Sequence, residues 1–109
     1  ICVTGLGVYR GSKYPSLDGT YFVGDWGSGK ILGMQHTAGG KWAMEELLNT
    51  TLMPTGSGAD EDGTIYMTTA HANYGGPVKP ADNARGALWL LVEADKVPKG
   101  AETIPLDNK

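Results

Sequence analysis

Two histidines are the side chains in this sequence best suited to acid–base or metal chemistry. His36 and His71 stand 35 positions apart, and neither has a second His or a Cys at the short spacing of a metal site. A single His without such a partner is most often structural. His71 belongs to a long segment at residues 70–84, and long loops on β scaffolds are where functional residues concentrate. His71 is therefore the better candidate for a ligand contact.

The segment at residues 24–30 (GDWGSGK) comes close to a phosphate-binding loop. Such a loop needs a Ser or Thr after its Lys and a helix that follows it. This chain instead has Ile31 and then an alternating, strand-like pattern. The segment is predicted to be a glycine-rich hairpin turn, and nucleotide binding is excluded.

An acidic segment at residues 60–63 (DEDG) suggests calcium binding. If Gly63 were the sixth position of a calcium loop, Gly58 would be the first and Thr69 the twelfth, and neither supplies a carboxylate. A hairpin turn is predicted here as well. The sequence defines no metal site, and no grouping of Ser, His and Asp or of Cys and His defines a catalytic residue.

Composition favours a β protein rich in turns. Gly accounts for 17 of 109 residues, against an average usage of roughly 7 %. The net charge is −3 and the basic residues are scattered, which excludes the basic stripe of a nucleic-acid-binding protein. The longest apolar run, at residues 87–92, is far shorter than the ~20 residues that a membrane-spanning helix requires. No membrane span is expected.

The start of the sequence predicts a fragment or a processed product. Ile1 leads directly into a strand-like stretch, without an initiator Met or a leader segment. The single Cys2 has no internal partner for a disulfide, and its redox partner stays open. With 109 residues, the chain is expected to be too short to be a complete working enzyme.

A repeat of 44 positions organises the strands. Asp18-Gly19-Thr20 and Asp62-Gly63-Thr64 each precede a large apolar stretch, and propeller blades repeat at about 40 to 50 residues. Lys30-Ile31-Leu32 is predicted to match Gly86-Ala87-Leu88, with Leu32 equivalent to Leu88. The segment at residues 41–49 has helix-forming composition but is predicted to be an outer strand. The predicted strands lie at residues 7–10, 20–25, 30–36, 41–48, 55–59, 64–69 and 86–93.

These strands predict an all-β fold, the closing part of a β-propeller. Residues 1–50 form a four-stranded penultimate blade. Residues 51–94 form a three-stranded, incomplete closing blade with an inserted loop at 70–84, and residues 95–109 form an irregular tail. A small β-sandwich with a coincidental repeat is the alternative. Trp26 is predicted to lie near the channel mouth, and Trp42 and Trp89 between blades.

Several stretches resemble the C-terminal part of the glucose/sorbosone dehydrogenase family, soluble β-propellers that oxidise sugars with pyrroloquinoline quinone. The order and spacing of these stretches carry the resemblance more than any one of them does. They cover most of residues 5–92. The matching stretches are VYRG at 8–11, YPSLDGTYFVGDW at 14–26, GKI at 29–31, ELLNT at 46–50 and DEDGTIY at 60–66.

The resemblance implies that a catalytic His and the calcium that orients the quinone would lie upstream of Ile1. The last blades of the family are expected to place basic side chains over the quinone from two segments, here residues 25–30 and 53–58. The candidate cofactor-binding residues are therefore Asp25, Trp26 and Thr55, by position, although the second segment contains no Arg. The 109 residues alone are expected to bind neither quinone nor calcium and to be inactive.

The resemblance also implies a periplasmic or extracellular protein. Its partners would be the remaining propeller blades or another chain, and a sugar substrate. The alternative is a non-catalytic propeller module that binds a partner protein or a glycan. A channel-facing His and calcium-binding loops in the upstream sequence would favour the enzyme, and their absence would favour the module.

Overall fold

A computed structural model describes residues 3–70 and 86–106, and these form an all-β structure of two antiparallel sheets. The sequence-based prediction of an all-β fold with one four-stranded and one three-stranded sheet is confirmed. Within the described residues, each sheet follows the order of its strands in the chain. The first sheet contains β1 (Val3–Val8), β2 (Tyr21–Asp25), β3 (Lys30–His36) and β4 (Trp42–Asn49), and the second contains β5 (Met53–Ala59), β6 (Ile65–Ala70) and β7 (Ala87–Leu90).

The first and last strands differ from their predicted bounds. The predicted start of β1 at residue 7 is wrong, because the pairing with β2 begins at Val3 and continues through a bulge between Gly5 and Gly7. Gly7 has a φ of +109°, a conformation that only Gly adopts readily, so this bulge hides the alternation of the strand. β7 ends at Leu90, short of the predicted residue 93.

The segment with helix-forming composition is strand β4, as predicted. Met44 pairs with Met34 and Trp42 pairs with His36 across the ladder with β3. Backbone pairing with a neighbouring strand outweighs intrinsic propensities that amount to only a few tenths of a kcal/mol per residue, ~0.7 at most for ordinary residues.

The hydrophobic core lies between the two sheets. Leu6, Phe22 and Ile31 of the first sheet form a buried cluster with Ile65 and Met67 of the second. Because cross-strand partners share a face of a sheet, the pairing of Gly33 with Phe22 and of Gly24 with Ile31 leaves room for the two large side chains. The faces that meet here are called the inner faces, and the opposite faces the outer faces.

The two sheets are stacked with β1 beside β5, and both strands run in the same direction. A Cβ added to Gly24, the partner of Thr4, would lie 2.7 Å from Cβ of Pro54 at the start of β5. Further along, the Ser57 hydroxyl donates a hydrogen bond of 3.4 Å to the carbonyl oxygen of Gly5. Neighbouring parallel first strands are the arrangement expected of consecutive blades.

Glu93 joins the ends of the two sheets through a latch to the β1–β2 connection. Its Oε2 accepts hydrogen bonds from the backbone N–H of Ser16 at 3.0 Å and from the Ser16 hydroxyl. Its Oε1 lies 2.8 Å from Nζ of Lys96. Lys96 first, and then Ser16, hold the pKa of Glu93 at about 2, below its ordinary value of 4.5. The ionised carboxylate is therefore the form that the folded chain favours.

The replacement Glu93→Gln is expected to lower stability at neutral pH and to flatten its acid dependence. The folded-state pKa is depressed, so the stabilising contribution is complete above 4.5 and is lost as the pH falls toward about 2. Urea midpoints measured from pH 7 downward should decline less in Glu93→Gln than in the wild type. Glu102→Gln, at an exposed position in the tail, is the control. A midpoint curve for Glu93→Gln that runs parallel to the wild-type curve would contradict the latch.

The tail runs back along the molecule. A short 3₁₀ turn at Ala94–Lys96 follows the second sheet, and Leu106 then forms an isolated bridge with Thr50 in the link between the sheets. The N–H of Thr51 donates to the carbonyl oxygen of Pro105 at 3.1 Å. The tail was predicted to be irregular, and its described part contains no strand, but it is anchored at both ends. No helix in residues 3–70 or 86–106 has the length and apolarity needed to cross a membrane.

Candidate functional site

The two segments singled out for a cofactor lie at the same end of the stacked sheets. The β2–β3 hairpin at residues 25–30 and the link between the sheets at residues 50–53 are in direct contact there, because the N–H of Thr50 donates to the carbonyl oxygen of Gly29 at 3.0 Å. β6 ends at this end with Ala70, paired with Met53, and β7 starts there. We call it the hairpin end.

Asp25 closes the hairpin at this end. Its side chain is buried, and its two carboxylate oxygens accept hydrogen bonds from the N–H of Gly27 at 3.0 Å and from the Ser28 hydroxyl at 2.7 Å. The carbonyl oxygen of Asp25 accepts a further bond from the N–H of Gly29 at 2.8 Å. An Asp that accepts bonds from its own turn fixes the local backbone. Asp25 therefore positions the hairpin.

Gly29 fits where a side chain would not. Its φ is +80°, and an added Cβ would lie 2.3 Å from the carbonyl oxygen of Thr50 and 2.7 Å from that of Leu52. The buried Thr50 hydroxyl also donates to the Gly29 carbonyl oxygen at 2.7 Å. The hairpin is thereby joined to the link between the sheets. The close approach was missed in the sequence, where this Gly was interpreted only as part of a turn.

Thr55 lies in a bulge of β5, between Pro54 and Gly56. It is exposed, and its hydroxyl lies 2.9 Å from the Thr68 hydroxyl and donates to the Thr68 carbonyl oxygen at 3.2 Å. Its neighbour Pro54 faces Gly24, so the backbones around Thr55 and Asp25 are close. Because alternate residues of a strand face opposite ways, the Asp25 side chain lies on the outer face of the first sheet and that of Thr55 on the outer face of the second. The described structure brings their segments together but not their side chains.

The three tryptophans have different environments. Trp26 is half-buried in the hairpin and is not a member of the buried core cluster. Trp89 packs against that cluster, and its indole N–H donates to the Thr69 hydroxyl at 2.9 Å. Trp42 does not pack between the two described sheets: its side chain is 58 % exposed, because β4 is the edge strand and Trp42 is directed to the outer face. It contacts the His36 ring at a centroid distance of 4.2 Å.

The acidic segment at residues 60–63 forms the β5–β6 turn. Asp60 Oδ1 accepts hydrogen bonds from the N–H groups of Asp62 at 2.9 Å and Thr64 at 3.0 Å, while its Oδ2 accepts one from the Tyr66 hydroxyl at 3.2 Å. The hydrogen bond to Asp60 raises the pKa of Tyr66 above 10.0. No group of three or more His, Cys, Asp or Glu side chains suited to a metal is found in residues 3–70 and 86–106.

Two shallow concavities lie on the sheets and not at the hairpin end. The larger, of about 470 Å³, is on the outer face of the second sheet and includes Tyr66, Thr68 and Leu88 in its lining. The smaller, of about 290 Å³, includes Thr20 and Gln35 of the first sheet. Sequence reasoning missed the larger surface, although the alternation of β6 indicates that Tyr66 and Thr68 face away from the core.

The candidate His71 and nearly all of the predicted loop at 70–84 lie outside the described residues, as does Cys2. The described residues define a protein built from paired, blade-like antiparallel sheets, with the β2–β3 hairpin and the link between the sheets at one end. No family model matches the chain.

Proposed function

We propose that this chain supplies two neighbouring blades of a propeller of the glucose/sorbosone dehydrogenase type, which oxidises a sugar with pyrroloquinoline quinone in the periplasm or outside the cell. The observation that supports this most is the position of the hairpin at residues 25–30. It lies at the same end of the stacked sheets as the start of β5 at Met53, so the two segments expected near the quinone share one end. Loops at one end of a rigid β scaffold are the usual place for such a site.

The side chains at the hairpin end do not by themselves fit an anionic quinone. Both carboxylate oxygens of Asp25 already accept hydrogen bonds within the turn, and the Thr55 hydroxyl contacts Thr68. A quinone carboxylate requires charge-assisted donors, and a neutral Thr cannot replace a guanidinium. The cation of the hairpin is Lys30, and its Nζ lies 3.9 Å from Oε1 of Glu46, so it already has an acidic partner. We therefore assign one side of the site to the segments that carry Asp25, Trp26 and Thr55, and the base and calcium to other blades.

The 109-residue chain is expected to be inactive. Abstraction of a proton from a sugar needs a base held about 2.6–3.2 Å from the reacting group, and His36 contacts Trp42 on an outer face. Glucose, calcium, quinone and an electron-accepting dye added to the chain should give the rate of a buffer blank. A longer polypeptide that includes these residues should turn over under the same conditions. Turnover by the 109 residues that is lost in His71→Ala would contradict this assignment.

A non-catalytic propeller module that binds a partner protein or a glycan is the second candidate. It is favoured by the poor fit of Asp25 and Thr55 to an anion and by the open concavity beside Tyr66. The upstream coding sequence separates the two. A His base and calcium-binding loops there support the dehydrogenase, and a longer polypeptide that binds no quinone supports the module.

A further inference from the structure

Exposed large hydrophobic side chains concentrate on the two outer faces. The outer face of the second sheet carries Leu88 and Leu90, which pair with Thr68 and Tyr66. Leu88 is 58 % exposed. Alternation and cross-strand pairing place four further exposed apolar residues together on the outer face of the first sheet. These are Val3, Val8, Trp42 and Met44.

The repeat relates these outer faces to the inner faces that already meet. Its alignment makes Phe22 equivalent to Tyr66 and Val23 equivalent to Met67. Within the chain, the Phe22 face of the first sheet packs against the Met67 face of the second. Within residues 3–70 and 86–106, the faces that have no facing sheet are the Tyr66 face of the second sheet and the Val23 face of the first. The Tyr66 face is therefore equivalent to the Phe22 face, and the Val23 face is equivalent to the Met67 face. The Phe22 and Met67 faces are the two that pack together in the core.

We infer that the outer face of the second sheet binds the outer face of the first sheet of another copy of this chain. The contact repeats the face-to-face stacking of the two sheets within one chain. First and second sheets would then alternate from copy to copy. It goes beyond the proposed function, because it concerns the 109 residues alone and requires neither quinone nor sugar. In a longer polypeptide the neighbouring blades would occupy these same two faces.

The shapes of the two faces suit this contact. The outer face of the second sheet has a depression of about 470 Å³, in which Gly58 contributes no side chain. The outer face of the first sheet projects Trp42 and Met44, the latter 67 % exposed. Aromatic residues and Met are enriched at the centres of protein interfaces, where they fill such depressions.

The contact joins two different surfaces, so it is heterologous. A heterologous contact repeats from copy to copy until the rotation closes a ring, or else it continues as an open chain. Each copy adds two sheets, and ring closure would cover all the outer faces. Folding and association are then linked, and the melting temperature of the chain should rise with its concentration.

Two single substitutions test the inference. Met44→Asp places a charge on one outer face and Leu88→Asp on the other, and each should weaken self-association at least about tenfold, since a buried unpaired charge removes more than 1.4 kcal/mol. Val97→Asp, at an exposed apolar position outside both faces, is the matched control and should associate like the wild type. Light scattering after size exclusion over a range of concentrations measures the assembly.

Mixing the two variants gives the decisive result. Met44→Asp retains an intact second-sheet face and Leu88→Asp an intact first-sheet face, so the mixture should form dimers that grow no further. This complementation also applies if the variants unfold when separate, since mixing should then restore the far-ultraviolet signal of strands. A wild-type chain that stays monomeric and melts cooperatively at every concentration would overturn the inference, as would variants that fail to complement. No quinone is present, so this outcome is independent of the activity assay.

Discussion

Met67→Ala should lower the free energy of unfolding by about 2–5 kcal/mol, the range for truncation of a buried Met to Ala. Met67 is 1 % exposed and lies in the cluster that holds the two sheets together, with Phe22 and Ile31 across the interface. Truncation leaves a cavity in the cluster where the inner faces of the two sheets meet. Because small domains are stable by only about 5–15 kcal/mol, we expect much or all of the cooperative transition to be lost.

Met44→Ala provides the matched control for this experiment. It makes the same chemical change at an exposed position of β4, where truncation should alter the free energy of unfolding by no more than about 0.5 kcal/mol. Urea titrations followed by circular dichroism, at a concentration too low for association, should separate the two variants clearly. Similar midpoints for both would contradict the placement of Met67 between the sheets.

Gly29→Ala should lower the free energy of unfolding by about 2–5 kcal/mol. Roughly 1–2 kcal/mol comes from the left-handed conformation, since φ is +80°. A further ~1–3 kcal/mol comes from overpacking, since the new Cβ would meet the carbonyl oxygens of Thr50 and Leu52. Backbone atoms cannot rotate away as a side-chain terminus does, so the hairpin and the link between the sheets must separate.

Gly39→Ala tests the same substitution without either penalty. An added Cβ there meets nothing within 4 Å, and the residue does not have a positive φ. Its midpoint should match the wild type or rise slightly, because Ala restricts the unfolded chain more than Gly does. Equal losses for Gly29→Ala and Gly39→Ala would show that the contact with Thr50 does not exist in solution.

The sequence predicted the two sheets because two independent patterns agree. Alternation marked the strands, and the Asp-Gly-Thr repeat aligned β2 with β6. The proposed equivalence of Leu32 and Leu88 is wrong by one residue: Leu88 pairs with Thr68 as Ile31 pairs with Gly24, so Leu88 is the counterpart of Ile31. A shift of one residue moves a side chain to the opposite face of a sheet. Composition cannot reveal this shift of one residue, since Ile31 and Leu32 are both apolar.

The candidate site was less accessible to sequence reasoning. Resemblance selected Asp25, Trp26 and Thr55, and the two segments do lie at one end of the fold. The face on which each side chain lies, Asp25 or Thr55, depends on whether the residue has an odd or an even position in its strand. For Thr55 it also depends on the bulge after Pro54, which no local sequence pattern predicts. The bonds from Ser16 to Glu93 link residues 77 positions apart and leave no local signal at all.

The latch at Glu93 also bears on the order in which the chain folds. The β2–β3, β3–β4 and β5–β6 pairs are joined by short connections, so these hairpins can form early. The latch, by contrast, joins positions 77 apart, and Leu106 reaches Thr50 from the last described residues. Closing such distant contacts costs more chain entropy. We expect a nascent polypeptide to pack the two sheets through the Phe22 and Met67 faces first, and to gain the latch and the contact of the tail only after Glu93 and Leu106 have emerged.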